Sequence, residues 1–188
     1  MSRHILLLCL GTAFGLAELA LSLRKRSRAD AARADRGSRH VLWIVIVSAW
    51  VLAFILAADV MLGHFRVGPA LLAVSLLVFA GGLALRWYAI LYLGRLFTVD
   101  VAIAPDHRLI DRGPYRWIRH PSYAGALLAF LGLGLCLGSL PALGMLLIPT
   151  AAAYRYRIAV EESALSRELG HAYSGYVGRT WRLLPGIY

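Results

Sequence analysis

Runs of about 20 apolar residues recur along this chain, and that is the length a helix needs to cross ~30 Å of hydrocarbon. Ile5 to Leu23, Val41 to Leu62 and Pro69 to Leu93 are each long enough to cross alone. Ala124 to Leu137 and Leu140 to about Tyr156 are shorter and separated by Gly138, Ser139 and Pro141, which reads as a tight helical hairpin whose members can continue beyond the membrane. With 60% hydrophobic and only 16% charged residues among 188, the composition is far from that of a soluble domain. The fold class this implies is all-α: a polytopic membrane protein with about five transmembrane helices.

Charge fixes the expected orientation. The formal net charge is +10, and nearly all of it is arginine, Lys25 being the only lysine. These cations lie in the connections between apolar runs, where the positive-inside rule puts them, so nucleic acid is not the expected partner. The first connection carries Arg24, Lys25, Arg26, Arg28, Arg33, Arg36 and Arg39 against Asp30 and Asp35, and belongs in the cytoplasm. The N-terminus is then outside, the Gly63 to Gly68 turn outside, and the long connection from Gly94 to Tyr123 inside. Five crossings return Arg155, Arg157, Arg167, Arg179 and Arg182 to the cytoplasm, so all arginine-rich segments share one side. The first run has the outline of a signal peptide, but Glu18 stands where a small-residue cleavage motif belongs, which favours a retained helix. Cys9 and Cys136 lie inside apolar runs and read as small buried hydrophobes. Glu18, Asp59 and Arg86 are ionisable residues within apolar runs, each within about two turns of a helix end, where anchoring is favoured over an ion pathway.

The inner connection is about 30 residues with no regular period, long enough to suggest a functional loop. It reads Asp106, His107, Arg108, Leu109, Ile110, Asp111, Arg112, Gly113, Pro114, Tyr115, Arg116, Trp117, Ile118, Arg119, His120, Pro121, Ser122, Tyr123. Each proline holds the residue before it in extended geometry. Aromatic faces, cations and two histidines suit a ligand with an adenine ring to stack and a carboxylate to pair. The same residues also suit lipid headgroups and an interfacial aromatic belt, and composition alone does not choose. No Cys or carboxylate cluster accompanies His107 and His120, so no metal is expected. After the fifth run, Arg157 and Glu161 are four apart on one helix face. Leu165, Leu169, Ala172, Tyr173 and Tyr176 follow at roughly helical spacing, as in an amphipathic helix.

Gly113-Pro114-Tyr115, then His120-Pro121-Ser122-Tyr123, then an arginine and the paired Glu161 and Glu162 after two more helices together resemble the isoprenylcysteine carboxyl methyltransferase and phospholipid methyltransferase superfamily. The resemblance spans roughly Asp100 to Pro185 and includes Leu169-Gly170, Tyr173 and Tyr176. It implies a catalytic region over 94–188 preceded by three transmembrane helices over 1–93. It also implies S-adenosylmethionine as methyl donor, with S-adenosylhomocysteine as product. The donor-binding residues it implies are His107, Arg108, Leu109, Ile110, Tyr115, His120, Pro121, Ser122, Tyr123 and Glu161. Arg157 matches the arginine associated with the methyl acceptor, and with His120 forms the implied catalytic pair. Where the family often has a longer acidic run this chain has Ala159 and Val160, so the resemblance assigns Glu162 no role.

Methyl transfer is an in-line displacement, to which a protein contributes alignment and electrostatic positioning. A carboxylate acceptor needs no base; an amine or phenol would need one, with His120 or Tyr123 nearest. The leading expectation is carboxyl O-methylation of an isoprenylated cysteine or similar lipid acceptor. O- or N-methylation of another lipid, such as a phenolic lipid or phosphatidylethanolamine, is the alternative, as is an NADPH-dependent membrane reductase of related architecture. Membrane lipids are expected neighbours, and no obligate protein partner is evident.

Overall fold

A computed structural model of the chain describes residues 3–24, 37–58, 63–94 and 109–188. Five helices account for most of it: α1 (Arg3–Arg24), α2 (Ser38–Ala58), α3 (Pro69–Leu93), α4 (Pro121–Leu137) and α5 (Leu140–Val177), with a 3₁₀ turn at Gly113–Arg116 before α4. Among the described residues there is no strand, only isolated bridges at His64–Ser139 and Ile118–Trp181. The basic stretch 25–36, Asp59 and the segment 95–108, with His107 and Arg108, lie outside the described residues.

Punctuation in the sequence sets the helix ends. Pro69 enters α3 from an extended Gly68, where a missing N–H costs nothing, and Gly94 closes it at φ 55°. The α4–α5 hairpin turns on Gly138, which takes the left-handed conformation (φ 71°, ψ 26°), and on Ser139, whose hydroxyl accepts a hydrogen bond from the Ala142 amide. α5 runs from the hairpin to Val177 but is broken at Gly170 (φ 50°, ψ −124°). Its stretch before the break, 140–169, is about 45 Å long at 1.5 Å per residue, so about a third of that stretch projects beyond a ~30 Å hydrocarbon layer.

Small residues hold the bundle together, as expected where lipid removes the hydrophobic drive between helices. A methyl group built on Gly82 of α3 would fall 2.6 Å from the Gly125 carbonyl of α4, and one on Gly132 would fall 2.5 Å from the Ser75 carbonyl. These backbones therefore touch. α2 packs along α5 and buries an alanine stripe, Ala49, Ala53 and Ala57. The outer faces carry Ile44, Leu77, Leu91 and Ile148, each 66–73% exposed, which is the surface a bilayer covers. α1, α2 and α3 are long and apolar enough to cross a membrane, and α4 is a shorter apolar helix. The protein is an integral membrane protein.

Candidate active site

The segment before α4 is fixed by contacts at both ends. Gly113 sits at φ 58° with its α-carbon against the Tyr92 ring; a methyl group there would lie 2.5 Å from that ring. Only glycine meets both demands. The 3₁₀ turn buries Tyr115, whose hydroxyl donates to the Ala89 carbonyl of α3 at 3.2 Å. Tyr176 of α5 in turn donates to the Tyr115 carbonyl at 2.7 Å. The chain then reaches His120 beside the C-terminal tail: the Arg119 amide donates to the Trp181 carbonyl and the His120 amide to the Arg182 carbonyl. His120 stands at φ −122°, ψ 59°, short of the extended geometry expected before a proline though outside the helical range that Pro121 disfavours, and α4 begins at Pro121.

These constraints gather ionisable side chains from three places. Arg119 Nε donates to Glu162 at 2.9 Å, and Arg182 holds the other Glu162 oxygen at 2.9–3.0 Å. Arg119 also donates to the Val177 and Thr180 carbonyls, tying down the end of α5. His120, 5% exposed, lies between the paired glutamates, 3.7 Å from Glu161 through Nδ1 and 3.4 Å from Glu162 through Nε2. Burial pushes the Glu162 carboxyl up, but hydrogen bonds from His120, Arg182 and Arg119 outweigh it and hold the group at about 2. Tyr173 is buried with a hydroxyl that has no partner among the described residues. Burial and then the two carboxylates raise its pKa well above the ordinary phenol value.

Tyr123 connects this cluster to the bundle interior. Its ring stacks on His120 (centroids 5.5 Å, planes 7° apart) and packs on Tyr154 at 5.0 Å. Its hydroxyl donates to Glu161 at 2.8 Å and accepts from Arg157 Nε at 3.2 Å. Arg157, 3% exposed, donates through Nη1 to Ser38 of α2 at 2.7 Å. One hydrogen-bond chain, Ser38–Arg157–Tyr123–Glu161, thus runs from α2 through α5 and α4. Nearby, Arg86 of α3 grips both carboxylate oxygens of Glu18 on α1 and donates to the hydroxyl and carbonyl of Ser122.

Arg157 and Tyr123 also line a cavity of about 350 Å³ between α1, α2, α4 and α5. Its walls are mostly apolar, with Trp43, Ile46, Trp50 and Phe14 among them, and its polar end carries Arg39, Arg86, Arg157 and Glu18. The site therefore has two compartments: a polar cluster at the loop and tail, and an apolar cavity inside the bundle. The Tyr123 hydroxyl stands between them.

Of the residues singled out from sequence, His120, Tyr123, Glu161 and Arg157 come together here. Ser122 sits one step away on Arg86, and Pro121 shapes the approach. Tyr115 faces α3 through its hydroxyl, and Leu109 and Ile110 are half-buried at the loop's start. The sequence left Glu162 without a role and left Arg119 open between a ligand and a headgroup contact, whereas the two form the buried centre of the cluster. Glu18 and Arg86, read as separate anchors, are partners. Of the proposed amphipathic stripe, Tyr173 and Tyr176 are buried and Leu165 and Leu169 half-buried, while Ala172 is exposed.

Comparison with known proteins bears directly on this arrangement. The sequence profile of the isoprenylcysteine carboxyl methyltransferase (ICMT) family matches residues 73–167, which take in most of α3, all of α4 and about the first three-quarters of α5. The chain is 32% identical over 108 residues to a protein-S-isoprenylcysteine O-methyltransferase of Tribolium castaneum, an alignment covering 56% of this chain and 38% of that enzyme. Protein YpbQ of Bacillus subtilis, itself uncharacterised, is 25% identical over 79% of this chain and 88% of its own. The solved structure of a eukaryotic intramembrane Ras methyltransferase, ICMT, superposes with a TM-score of 0.58 at 31% identity, covering 77% of this chain and 52% of that one. The chain thus spans about half of that enzyme, and the residues that match the family profile contain the loop, hairpin and paired glutamates. The protein belongs to the isoprenylcysteine carboxyl methyltransferase family.

Proposed function

We propose that the protein is an S-adenosylmethionine-dependent methyltransferase that esterifies the carboxylate of an isoprenylated cysteine or a similar lipid-tailed acid. The observation carrying this reading is the Tyr123 hydroxyl, shared between Arg157 at the cavity and Glu161 in the polar cluster. It provides a meeting point for a water-soluble donor and an acceptor that resides in the bilayer. The donor-binding set is His107 to Ile110, Tyr115, His120 to Tyr123 and Glu161. The polar cluster fits a sulfonium amino acid: Glu161 is accessible to its ammonium group, and the unpartnered Tyr173 hydroxyl offers a further polar contact.

When bound, the donor supplies an electrophilic methyl carbon, to which an acceptor carboxylate oxygen bonds as the carbon–sulfur bond breaks and its electron pair passes to sulfur. The chain's residues do the aligning. Arg157 holds the carboxylate, and its own orientation is fixed by Ser38 and Tyr123. His120 braces Glu161 and Glu162 and packs the Tyr123 ring. The cavity's polar end has three arginines against one carboxylate, which favours an anionic acceptor head over an ammonium one. Donor site and C-terminus face the cytoplasm in this reading and the N-terminus faces outward, because the arginine-rich segments share that side.

Calorimetric titration of the detergent-purified protein with S-adenosylhomocysteine tests the division of labour. Glu161→Ala should lose binding, and Arg157→Ala should keep it while losing turnover. Equal loss of affinity in both variants would refute the assignment.

A further inference from the structure

The apolar cavity has a floor, and its depth can be read from the two helices that flank it. From Ser22 to Gly11 on α1, and from Arg39 to Trp50 on α2, lining residues recur along the wall. Each stretch rises about 16 Å at 1.5 Å per residue. Two antiparallel helices thus bound the void over the same height. At the end far from the arginines, the Trp50 indole lies against the Gly11 backbone, where a methyl group would fall 1.8 Å from the ring. Trp50 is propped by Phe54 edge-on at 4.6 Å, and Phe14 is propped by Phe130 at 5.4 Å. Gly15, one turn along from Gly11, lines the cavity, and a methyl group there meets nothing within 4 Å. Leu16, Leu19 and Val47 line the same space yet are 47–60% exposed, so the gap between α1 and α2 opens toward lipid.

We propose that this cavity gauges the hydrocarbon tail of the methyl acceptor, with Trp50 against Gly11 as its stop. This rests on the proposed function, because the tail is placed by the continuity of the cavity with Arg157 and Tyr123. An extended chain advances roughly 1.25 Å per bond, from a ~1.5 Å bond at a near-tetrahedral angle, so about 13 bonds span the cavity from its arginine end to the stop, and about four of these belong to the cysteine between its carboxylate and the first prenyl carbon. Two isoprene units put about 7 carbon–carbon bonds in line and three put about 11, by the same geometry. The cavity therefore accepts two units in full, and the end of a third must turn out through the lipid-facing gap. Nothing in the sequence resemblance carries this, since Gly11, Gly15 and Trp50 precede the residues that match the family.

The test compares kcat/KM for S-prenylcysteine acceptors of one, two and three isoprene units at saturating donor. A parallel experiment places a photoactivatable diazirine at the tail terminus of the two-unit compound and maps the adduct by peptide mass spectrometry. The two-unit acceptor should be preferred by the unaltered protein, and its label should fall on residues 11–15 and 47–54. Trp50→Ala should raise the three-unit acceptor about tenfold relative to the two-unit one, as the burial of one further apolar unit implies. Gly15→Leu should move the optimum to one unit. An unchanged length profile in both variants, or adducts elsewhere, overturns the gauge. Correct labelling without methyl transfer would leave the gauge standing and defeat the proposed reaction. Transfer without labelling at this floor would do the reverse.

Discussion

Removing a single oxygen atom from Tyr123 isolates the contact on which the proposed alignment depends. Tyr123→Phe keeps the ring, its stacking on His120 and its packing on Tyr154, and deletes only the hydroxyl between Glu161 and Arg157. Both lost hydrogen bonds involve an ionised partner, for which net values of about 1.5–3 kcal/mol apply. Some of that loss will be recovered by water and by rearrangement of Arg157, which retains Ser38. A net effect of ~3 kcal/mol on the aligned state corresponds to about a hundredfold in kcat/KM. The assay is transfer of a radiolabelled methyl group from S-adenosylmethionine to an S-prenylcysteine, with S-adenosylhomocysteine affinity measured on the same preparations. The loss should fall chiefly on turnover, with a smaller loss of affinity through Glu161. A folded variant within about threefold of the unaltered rate would refute the bridging role, since that is worth less than one ordinary hydrogen bond.

Other consequences concern stability. Glu18→Ala leaves the buried Arg86 without its bidentate partner and should destabilise the detergent-solubilised protein by about 3–5 kcal/mol, while Glu18→Leu combined with Arg86→Met should recover most of that in thermal unfolding. Gly125→Leu forces a side chain into the backbone of α3 and should lower the unfolding temperature sharply, whereas Gly175→Leu, at an open position, should not. Glu162 has a pKa of about 2 in the folded protein against an ordinary 4.5. The unfolded chain therefore binds the proton first as pH falls, so Glu162's contribution is complete above 4.5 and disappears as pH drops toward 2. That contribution is on the order of 3 kcal/mol, and Glu162→Gln should flatten the acid limb of a stability-against-pH curve.

Hydropathy made the helices legible because a bilayer imposes a length: the run Pro69 to Leu93 coincides with α3, and Gly138 and Ser139 carry the hairpin turn they suggest. His120, Tyr123, Arg157 and Glu161 were legible as a group only through the resemblance, since periodicity places Arg157 near Glu161 but says nothing of the tyrosine between them. The Arg119–Glu162–Arg182 cluster was not legible, because its members meet only when the C-terminal tail returns beside the loop, a long-range pairing without a local signal. The Glu18–Arg86 pair did leave a trace. Both residues lie about two turns from the expected cytoplasmic ends of their helices, hence at one depth, and carry opposite charges. The cavity left no trace, since it arises from where α1 and α2 do not touch.

The most direct test of the central claim is to incubate the purified protein with methyl-labelled S-adenosylmethionine and a two-unit S-prenylcysteine, extract the lipid product and treat it with mild base. The account predicts label in the product that base releases as volatile methanol, the signature of a carboxyl methyl ester, and none with Arg157→Ala. Base-stable label would place the methyl group on nitrogen or on an ether oxygen and contradict the carboxylate assignment. No label, from folded protein that binds S-adenosylhomocysteine, would contradict the proposed acceptor altogether.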